Sequence, residues 1–235
     1  MPLPGMCGMI GHVKPALATD FGEYALGIQL RNTGEWVDHS DAATAAFPLS
    51  ATLIADDQSI SGRTVLVDQG GHGTFKALTW YRADAANGNV KITDCELLAG
   101  VRFVDLPTSA GGLGVCRVNG SSGYAGCFDS DGSPDSVNAI RINSGALDIV
   151  VGGTPQDLTL SAGPRFWVRF RINGTNIGVK GWQDGTAEPA AFSSGTDTTF
   201  GTGGRVGFQS MANRGYRLDW FSVALGDGTA PFPNG

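Results

Sequence analysis

The sequence is poor in the features that mark several common functional classes. Only 16% of its 235 residues are charged and the net charge is −6, whereas nucleic-acid binding depends on clustered cations, so we expect no nucleic-acid partner. No apolar run reaches the roughly 18 residues needed to span a bilayer. The N-terminus carries prolines at positions 2, 4 and 15 and lacks the pattern of a secretory signal. We therefore expect a protein made in the cytoplasm, with no membrane span.

Cysteine is scarce, and the common catalytic motifs are missing. The four cysteines, at positions 7, 95, 116 and 127, form no CxxC pair, so a zinc site is not expected. In GLGVCRVNGSSGYAGCF, a loop over residues 120–123 would place Cys116 opposite Cys127 on neighbouring strands. Two packed thiols and a cross-strand disulfide both fit that pairing. No P-loop or GxSxG motif occurs, and the three histidines lie in separate segments.

Glycine, in contrast, is abundant, at 36 residues, and it stands with Asn and Asp between short alternating apolar segments. Hydrophobicity of helical period never persists beyond about three turns, which indicates an all-β protein. One short helix is predicted over residues 40–46. Strands are predicted over residues 23–30, 51–54, 63–67, 74–81, 90–104, 113–118, 124–128, 138–143, 146–151, 204–211 and 216–225. This spacing is typical of a sandwich or jelly roll.

The segment over residues 165–183, RFWVRFRINGTNIGVKGWQ, carries the clearest strand pattern. Apolar residues alternate from Phe166 to Ile172, which predicts a strand with one buried face. The following Asn173-Gly174 predicts a type I′ turn and hence a hairpin. In that register Val168 lies opposite Val179, and all apolar pairs share one face.

The other face of this hairpin combines indoles with cations, which supply the stacking planes and hydrogen-bond donors used by both sugars and protein partners. Packing by a second layer of the same protein, a protein partner and a glycan are three alternatives for what covers it. A second aromatic pair earlier in the chain offers a weaker platform. The candidate ligand or partner residues are Trp167, Trp182, Arg165, Arg169, Lys180, Trp80 and Tyr81.

A cluster of acids in the loop DSDGSPD suggests a metal site. Asp129, Asp131 and Asp135 offer the oxygen ligands that Ca²⁺ prefers, although the spacing departs from that of an EF-hand loop. Loops rich in Asp and Gly also occur simply as turns. Asp219 joined by Asp20 is an alternative site for a structural ion. No other cofactor is expected.

Several segments resemble the laminin-G-like, concanavalin A-like jelly-roll domains found in phage and bacterial surface proteins. They are KALTWYR, CELLAGVRF, the run over residues 160–192, GRVGFQ and LDWFSV, and the resemblance covers about residues 60–225. It implies two stacked antiparallel sheets, one concave, with ligands or partners on the concave face or the rim loops. This fold serves lectins, hydrolases and structural modules alike.

We predict an N-terminal arm over residues 1–20, one antiparallel jelly-roll β-sandwich over 21–225 and a C-terminal tail over 226–235, with arms able to lie along neighbouring subunits. The resemblance implies a non-enzymatic phage virion protein of the tail, fibre or capsid surface. Its partners would be other virion proteins, copies of itself and host surface glycans. One alternative is a glycoside hydrolase or lyase, for which Asp94 and Glu96 are the nearest paired carboxylates. The other is a free carbohydrate-binding lectin.

Overall fold

The computed structural model of the chain describes residues 16–38, 49–68, 76–86, 88, 91–104, 106, 113–120, 122–129, 134–150, 155–210 and 215–233. The strands in these residues are β1 (Ala16–Thr19), β2 (Trp36–Asp38), β3 (Ser50–Ala55), β4 (Arg63–Asp68), β5 (Lys76–Trp80), β6 (Cys95–Phe103), β7 (Leu113–Asn119), β8 (Ser122–Asp129), β9 (Asp135–Asn143), β10 (Ala146–Val150), β11 (Gln156–Leu158), β12 (Arg165–Asn173), β13 (Asn176–Gln183), β14 (Ser193–Thr196), β15 (Arg205–Ser210) and β16 (Tyr216–Leu225). A 3₁₀ helix (Leu30–Thr33) and helix α1 (Tyr81–Ala86) complete the described elements. No helix among them is long and apolar enough to cross a membrane.

The strands form two antiparallel sheets. Sheet A has the order β14-β13-β12-β6-β16-β4-β3, with β1 paired along β16. Sheet B has the order β10-β9-β8-β7-β15-β5-β2, with β11 paired to β9. Among the described strands the chain changes sheet at β2, β3, β5, β6, β7, β12, β15 and β16, so neighbours in a sheet are often distant in sequence. The protein is an antiparallel two-sheet jelly-roll sandwich, and the predicted fold class is confirmed.

The core lies between the sheets and contains stacked aromatic rings. Trp36 and Trp80 stack with ring centroids 5.5 Å apart and an interplanar angle of 7°. Trp80 is fully buried, whereas the next residue, Tyr81, begins α1 and is 46% exposed. The predicted platform of Trp80 and Tyr81 is therefore wrong. Strand β5 ends with the Trp80 ring in the core, and helix α1 begins at Tyr81 with that side chain in solvent, so the two aromatics do not share a face.

The hairpin of β12 and β13 has the predicted faces but a different register. Asn173 pairs with Asn176, so the turn residues are Gly174 and Thr175, and Phe170, not Val168, lies opposite Val179. Gly174 has a φ of 58°, which glycine adopts at little cost. The register is shifted by two residues, and an even shift leaves every side chain on its predicted face.

The strands β7 and β8 are also joined by a shorter connection than predicted. Asn119 pairs with Ser122, so two residues separate the strands instead of four. Cys116 consequently lies opposite Ala125, and the predicted pairing of Cys116 with Cys127 is wrong. Cys127 is a free thiol, and its burial raises its pKa.

The N-terminal region departs from the prediction in two places. Residues 16–19, assigned to an arm, form β1 and pair with β16, with Leu17 opposite Val223. Residues 23–30, predicted as a strand, form turns and bends with a single bridge from Gln29 to Thr52, and Leu30 begins the 3₁₀ helix. Phe21 and Gly27 have φ values of 64° and 78°, which interrupt an extended chain. The predicted helix over residues 40–46 lies outside the described residues.

Candidate functional site

The outer face of sheet A carries the tryptophans that the sequence placed on a ligand or partner face. Trp167 and Trp182 lie directly opposite each other on β12 and β13, on the side away from the core. They are only 3% and 4% exposed. Phe232 covers both, with ring centroids 5.1 and 5.8 Å from theirs. The chain's own residues 226–233, here called the C-terminal strap, therefore occupy this face.

Charged side chains under the strap bind its main chain. Glu96 is fully buried and accepts a hydrogen bond from the Ala230 amide at 3.1 Å. Arg169 Nη1 donates to the Ala230 carbonyl at 2.9 Å and pairs with Glu96 at 2.5 Å. Glu96 is therefore saturated by partners beneath the strap. Asp94 lines a cavity that Glu96 does not line, so the two carboxylates named for the hydrolase alternative do not face one site.

Further hydrogen bonds and one ion pair hold two segments, at Pro231 and at residues 188–189, against the outer face of sheet A. Trp220 Nε1 donates to the Pro231 carbonyl at 3.1 Å. Lys180 donates to the Pro189 carbonyl at 3.0 Å and pairs with Glu188 at 2.7 Å. Of the surface predicted from the hairpin, Trp167, Trp182, Arg169 and Lys180 come together, and all four are buried within the chain.

Arg165, the remaining member of that predicted surface, belongs to a neighbouring charge network. It pairs with the fully buried Asp219 at 3.0 Å and with Asp184 at 3.1 Å. Arg102 binds the same Asp219 carboxylate at 2.7 Å. Two guanidinium groups therefore neutralise Asp219. The predicted alternative, a structural ion shared by Asp219 and Asp20, does not fit a carboxylate that is already paired in this way.

The predicted calcium loop lies only partly within the described residues, because Asp131 falls outside them. Asp129 Oδ2 accepts a hydrogen bond from Asn138 Nδ2 at 3.4 Å, and Asp135 Oδ2 accepts one from the Leu160 amide at 2.8 Å. In the described part of the chain, no group of three or more His, Cys, Asp or Glu side chains is arranged to hold a metal. The calcium site stays a prediction.

A cavity of about 300 Å³ opens at one end of the sandwich, beside the turn between β12 and β13. We call it the rim pocket. A second cavity of about 230 Å³ shares Arg117 and Phe200 with it. The side chains that line the rim pocket include Asp94, Arg117, Tyr124, Thr175, Asp197 and Phe200.

Asp197 is the most heavily hydrogen-bonded acid of the rim pocket. Its Oδ1 accepts from the Tyr124 hydroxyl at 2.5 Å and from the Thr199 amide at 2.7 Å, and its Oδ2 accepts from Arg141 at 2.8 Å. Desolvation acts to raise the pKa of Asp197, but these hydrogen bonds and the charge of Arg141 outweigh it and hold the pKa below its usual value. The carboxylate therefore stays ionised near neutral pH.

Tyr124 and Arg117 form the floor of the pocket from two paired strands. They are direct cross-strand neighbours on β8 and β7, and the Arg117 guanidinium lies over the Tyr124 ring at 5.4 Å. Burial and the hydrogen bond to Asp197 raise the pKa of Tyr124, so its hydroxyl stays protonated. Arg117 is 4% exposed, and burial lowers its pKa.

Sequence reasoning missed this site because of the register error between β7 and β8. With the predicted four-residue loop, Arg117 would lie opposite Gly126, and nothing would connect it to Tyr124. The signal that could have found the pair is Asn119-Gly120, since Gly120 has a φ of 63° and permits a tighter turn.

The rim pocket offers groups that can bind a polyhydroxylated ligand. Asp94 Oδ1 accepts a hydrogen bond from the Gly174 amide at 2.7 Å, which orients its carboxylate beside the turn. Thr175 is exposed there, and Phe200 is half-buried. Acceptors, hydroxyl groups and ring surfaces thus face one volume.

Comparison with known proteins identifies the fold but no family. No protein-family model and no curated protein matches the chain. The exoplasmic/lumenal domain of VIP36, in its Ca²⁺/Man3GlcNAc-bound form, is similar with a TM-score of 0.53 at 10% identity, covering 88% of this chain and 90% of that one. A xylan β-1,4-xylosidase from Bacillus halodurans C-125 is similar with a TM-score of 0.54 at 12% identity, covering 88% of this chain and 38% of that one.

An engineered GH43 glycoside hydrolase with endo-xylanase and exo-arabinofuranosidase activity is also similar, with a TM-score of 0.55 at 11% identity, covering 89% of this chain and 41% of that one. The chain thus spans about two fifths of the length of each of these two hydrolases. At such low identity the likeness establishes the fold alone. It agrees with the concanavalin A-like sandwich that the sequence resemblance implies.

Proposed function

We propose that the protein is a non-enzymatic carbohydrate-binding module that holds a sugar in the rim pocket. The observation that carries this proposal is the lining of the pocket, where the rings of Tyr124 and Phe200 stand beside the carboxylates of Asp94 and Asp197. Sugars present apolar C–H surfaces to aromatic rings and hydroxyl groups to carboxylates. A volume of about 300 Å³ lies at the lower end of the range for small-molecule sites, which suits a short glycan segment.

The fold supports this proposal without deciding it. The VIP36 domain with the same fold was solved with Man3GlcNAc, but glycoside hydrolases share the fold as well. Most glycosidases need one carboxylic acid with a raised pKa to protonate the leaving group. The pKa of Asp197 is lowered, which makes it a poor proton donor, so a hydrolase built on this pocket would need Asp94 as its acid.

A hydrolase is the second candidate, because two carboxylates, Asp94 and Asp197, line one pocket. It is tested by incubating the protein with xylan, arabinan and mannan and measuring the release of reducing ends. Our proposal expects none. Release that Asp94→Asn abolishes would replace the binding module with an enzyme.

Binding itself is tested by screening the protein on a glycan array and measuring the hits by calorimetry. Tyr124→Phe removes the hydroxyl that orients Asp197, and we expect it to weaken binding about tenfold, or roughly 1.4 kcal/mol. Tyr81→Phe, at an exposed tyrosine outside the pocket, is the matched control and should bind like the wild type. A glycan ligand insensitive to Tyr124→Phe and to Phe200→Ala would place binding elsewhere and contradict the proposal.

We extend the proposal to the setting that the sequence resemblance implies. The module would sit on a phage particle made in the host cytoplasm, in contact with other virion proteins and copies of itself, and would attach the particle to host surface glycans. This part rests on that resemblance alone. Mass spectrometry of purified particles tests it, and absence of the protein from particles whose genome encodes it would refute it.

A further inference from the structure

Three arginines in the described residues are almost fully buried, Arg102, Arg117 and Arg169. Two of them pair with two carboxylates each, at 2.5 to 2.8 Å: Asp56 and Asp219 for Arg102, Glu96 and Glu188 for Arg169. Arg117 forms no such pair within the described part of the chain. Its guanidinium donates instead to two backbone carbonyls, those of Thr93 and Phe200.

An unpaired buried cation is costly, because carbonyl dipoles replace only part of its lost hydration. The acids nearest to Arg117 do not supply the missing charge. Asp197 is satisfied by Arg141, Tyr124 and Thr199. Asp94 lines the same cavity, but its Oδ1 accepts the Gly174 amide, and it forms no ion pair with Arg117 within 4 Å.

The position of Arg117 makes its charge available to a ligand. It lines both the rim pocket and the adjoining cavity of about 230 Å³. An anionic group placed in either cavity would therefore meet the same guanidinium. Apart from Asp94 and Asp197 in the rim pocket, the polar groups near it are neutral, with the hydroxyls of Thr175 and Thr198 in the rim pocket. Asn119 and Ser122 line the adjoining cavity, whose lining, among the described residues, contains no acid.

We infer that the rim pocket selects acidic sugars and that the Arg117 guanidinium binds the carboxylate of a uronic-acid residue. This inference rests on the proposed glycan-binding function and names the class of glycan. The planar fork of arginine matches a carboxylate in shape and charge, and a pair made away from water is stronger than one at the surface. The ligand then supplies the counter-charge that the described chain does not.

The test compares oligouronides of galacturonate, glucuronate and mannuronate with their methyl esters, which lack the negative charge and carry one added methyl group per ester. Calorimetry should give a dissociation constant at least tenfold lower for one or more of the acids than for its ester. Added sodium chloride should weaken binding of the acid and leave the ester unchanged.

Two variants test whether Arg117 is responsible for the preference for acid over ester. Arg117→Lys keeps a cation but loses the bidentate fork, so we expect the preference for acid over ester to fall about tenfold while binding of the ester is unchanged. Arg217→Lys, at an arginine paired with Asp56 away from the pocket, is the matched control and should retain the preference. If Arg117→Lys fails to fold, the comparison of acid and ester on the wild type decides alone.

The outcomes separate the two claims. Equal or tighter binding of the esters, or of sulfated or neutral glycans, overturns the inference while glycan binding stands. A protein that binds no glycan of any class overturns the proposed function and this inference with it. An acid preference that survives Arg117→Lys in a folded protein assigns the carboxylate to another residue and also overturns the inference.

Discussion

Asp197 shows how one side chain joins the stability of the rim pocket to its chemistry. Its carboxylate ties the segment after β14 to β8 through Tyr124 and to β9 through Arg141. The same bonds keep the group ionised, so it serves as an acceptor and not as an acid. The hydrogen bonds of Asp197 therefore both tie the pocket together and keep its carboxylate an acceptor.

We predict that Asp197→Asn loses stability in a pH-dependent way. The folded pKa of Asp197 is lowered below its usual value near 3.9, so its contribution is fully present above that value and is lost as pH falls through the folded pKa. Urea unfolding should show a cost of roughly 2 kcal/mol at pH 7 that shrinks below about pH 4. Asp57→Asn, at an exposed acid, should cost under about 0.5 kcal/mol. A cost for Asp197→Asn that is constant from pH 7 to pH 3 would contradict this assignment.

We also predict that the two glutamates that bind Arg169 differ in their contribution to stability. Glu96→Gln removes a fully buried charge bound to Arg169, Arg171 and the Ala230 amide, and should cost roughly 3 to 5 kcal/mol. Glu188→Gln, with a side chain 28% exposed, should cost about 1 kcal/mol. Guanidinium unfolding measures both, and equal costs would show that burial does not set the strength of these pairs.

At the scale of elements, the hairpin of β12 and β13 shows what alternation can and cannot predict. The period of two placed Phe170 and Trp167 on opposite faces, as the structure has them. The register could not be read reliably, because Asn173-Gly174 and Gly174-Thr175 both suit a two-residue turn. Pairing with β6 on the other side of β12, with Phe170 opposite Leu97, adds tertiary constraints that a local pattern does not contain.

The C-terminal strap shows that a local sequence pattern also does not predict which segment covers the outer face of a hairpin. The hairpin sequence indicated that something covers Trp167 and Trp182, and left three occupants open. The strap has no alternation or helical period, so its sequence gave no reason to place it there, and residues 226–235 were predicted as a loose tail. Side chains from β6, β12 and β16 hold the strap in place.

We predict that deleting residues 227–235 exposes the indoles beneath the strap. The loss of Phe232 and of the hydrogen bonds to Ala230 and Pro231 should cost roughly 3 kcal/mol or more. Tryptophan emission should shift to longer wavelength, and thermal unfolding should move down. Phe232→Ala, which removes one ring and keeps the main chain, should give a smaller change of the same sign. An unchanged emission spectrum after deletion would show that the strap does not cover these rings.

For the whole molecule, the spacing of the two sheets depends on small residues facing the core. Gly126 on β8 faces β12 and β13 so closely that an added Cβ would lie 2.8 Å from the Phe170 Cβ and 2.9 Å from a Val179 methyl group. Large rings elsewhere, such as Phe208 and Phe221, fill the wider parts of the same layer. Glycine where the sheets approach closely, and large rings where they lie further apart, together keep the core densely packed.

We predict that Gly126→Ala forces the sheets apart locally and costs roughly 1 to 3 kcal/mol. For a chain of this length each kcal/mol lowers the melting temperature by about 2 to 4 °C, which calorimetry resolves. Gly201→Ala, where the nearest atom lies 3.8 Å from the added Cβ, is the matched control and should be nearly neutral. Equal melting temperatures for the two variants would contradict the close approach at Gly126.

The sequence by itself determined the all-β class, most strand positions and the buried face of the central hairpin, because side-chain alternation and turn residues act over a few neighbours. Tertiary structure decided the registers, the pairing of β1 with β16, the burial of Trp167 and Trp182 and the meeting of Arg117, Tyr124 and Asp197. These depend on contacts between residues up to about 200 positions apart, such as Leu17 with Val223. A local sequence pattern does not contain such contacts, because they depend on which distant strands become neighbours in a sheet.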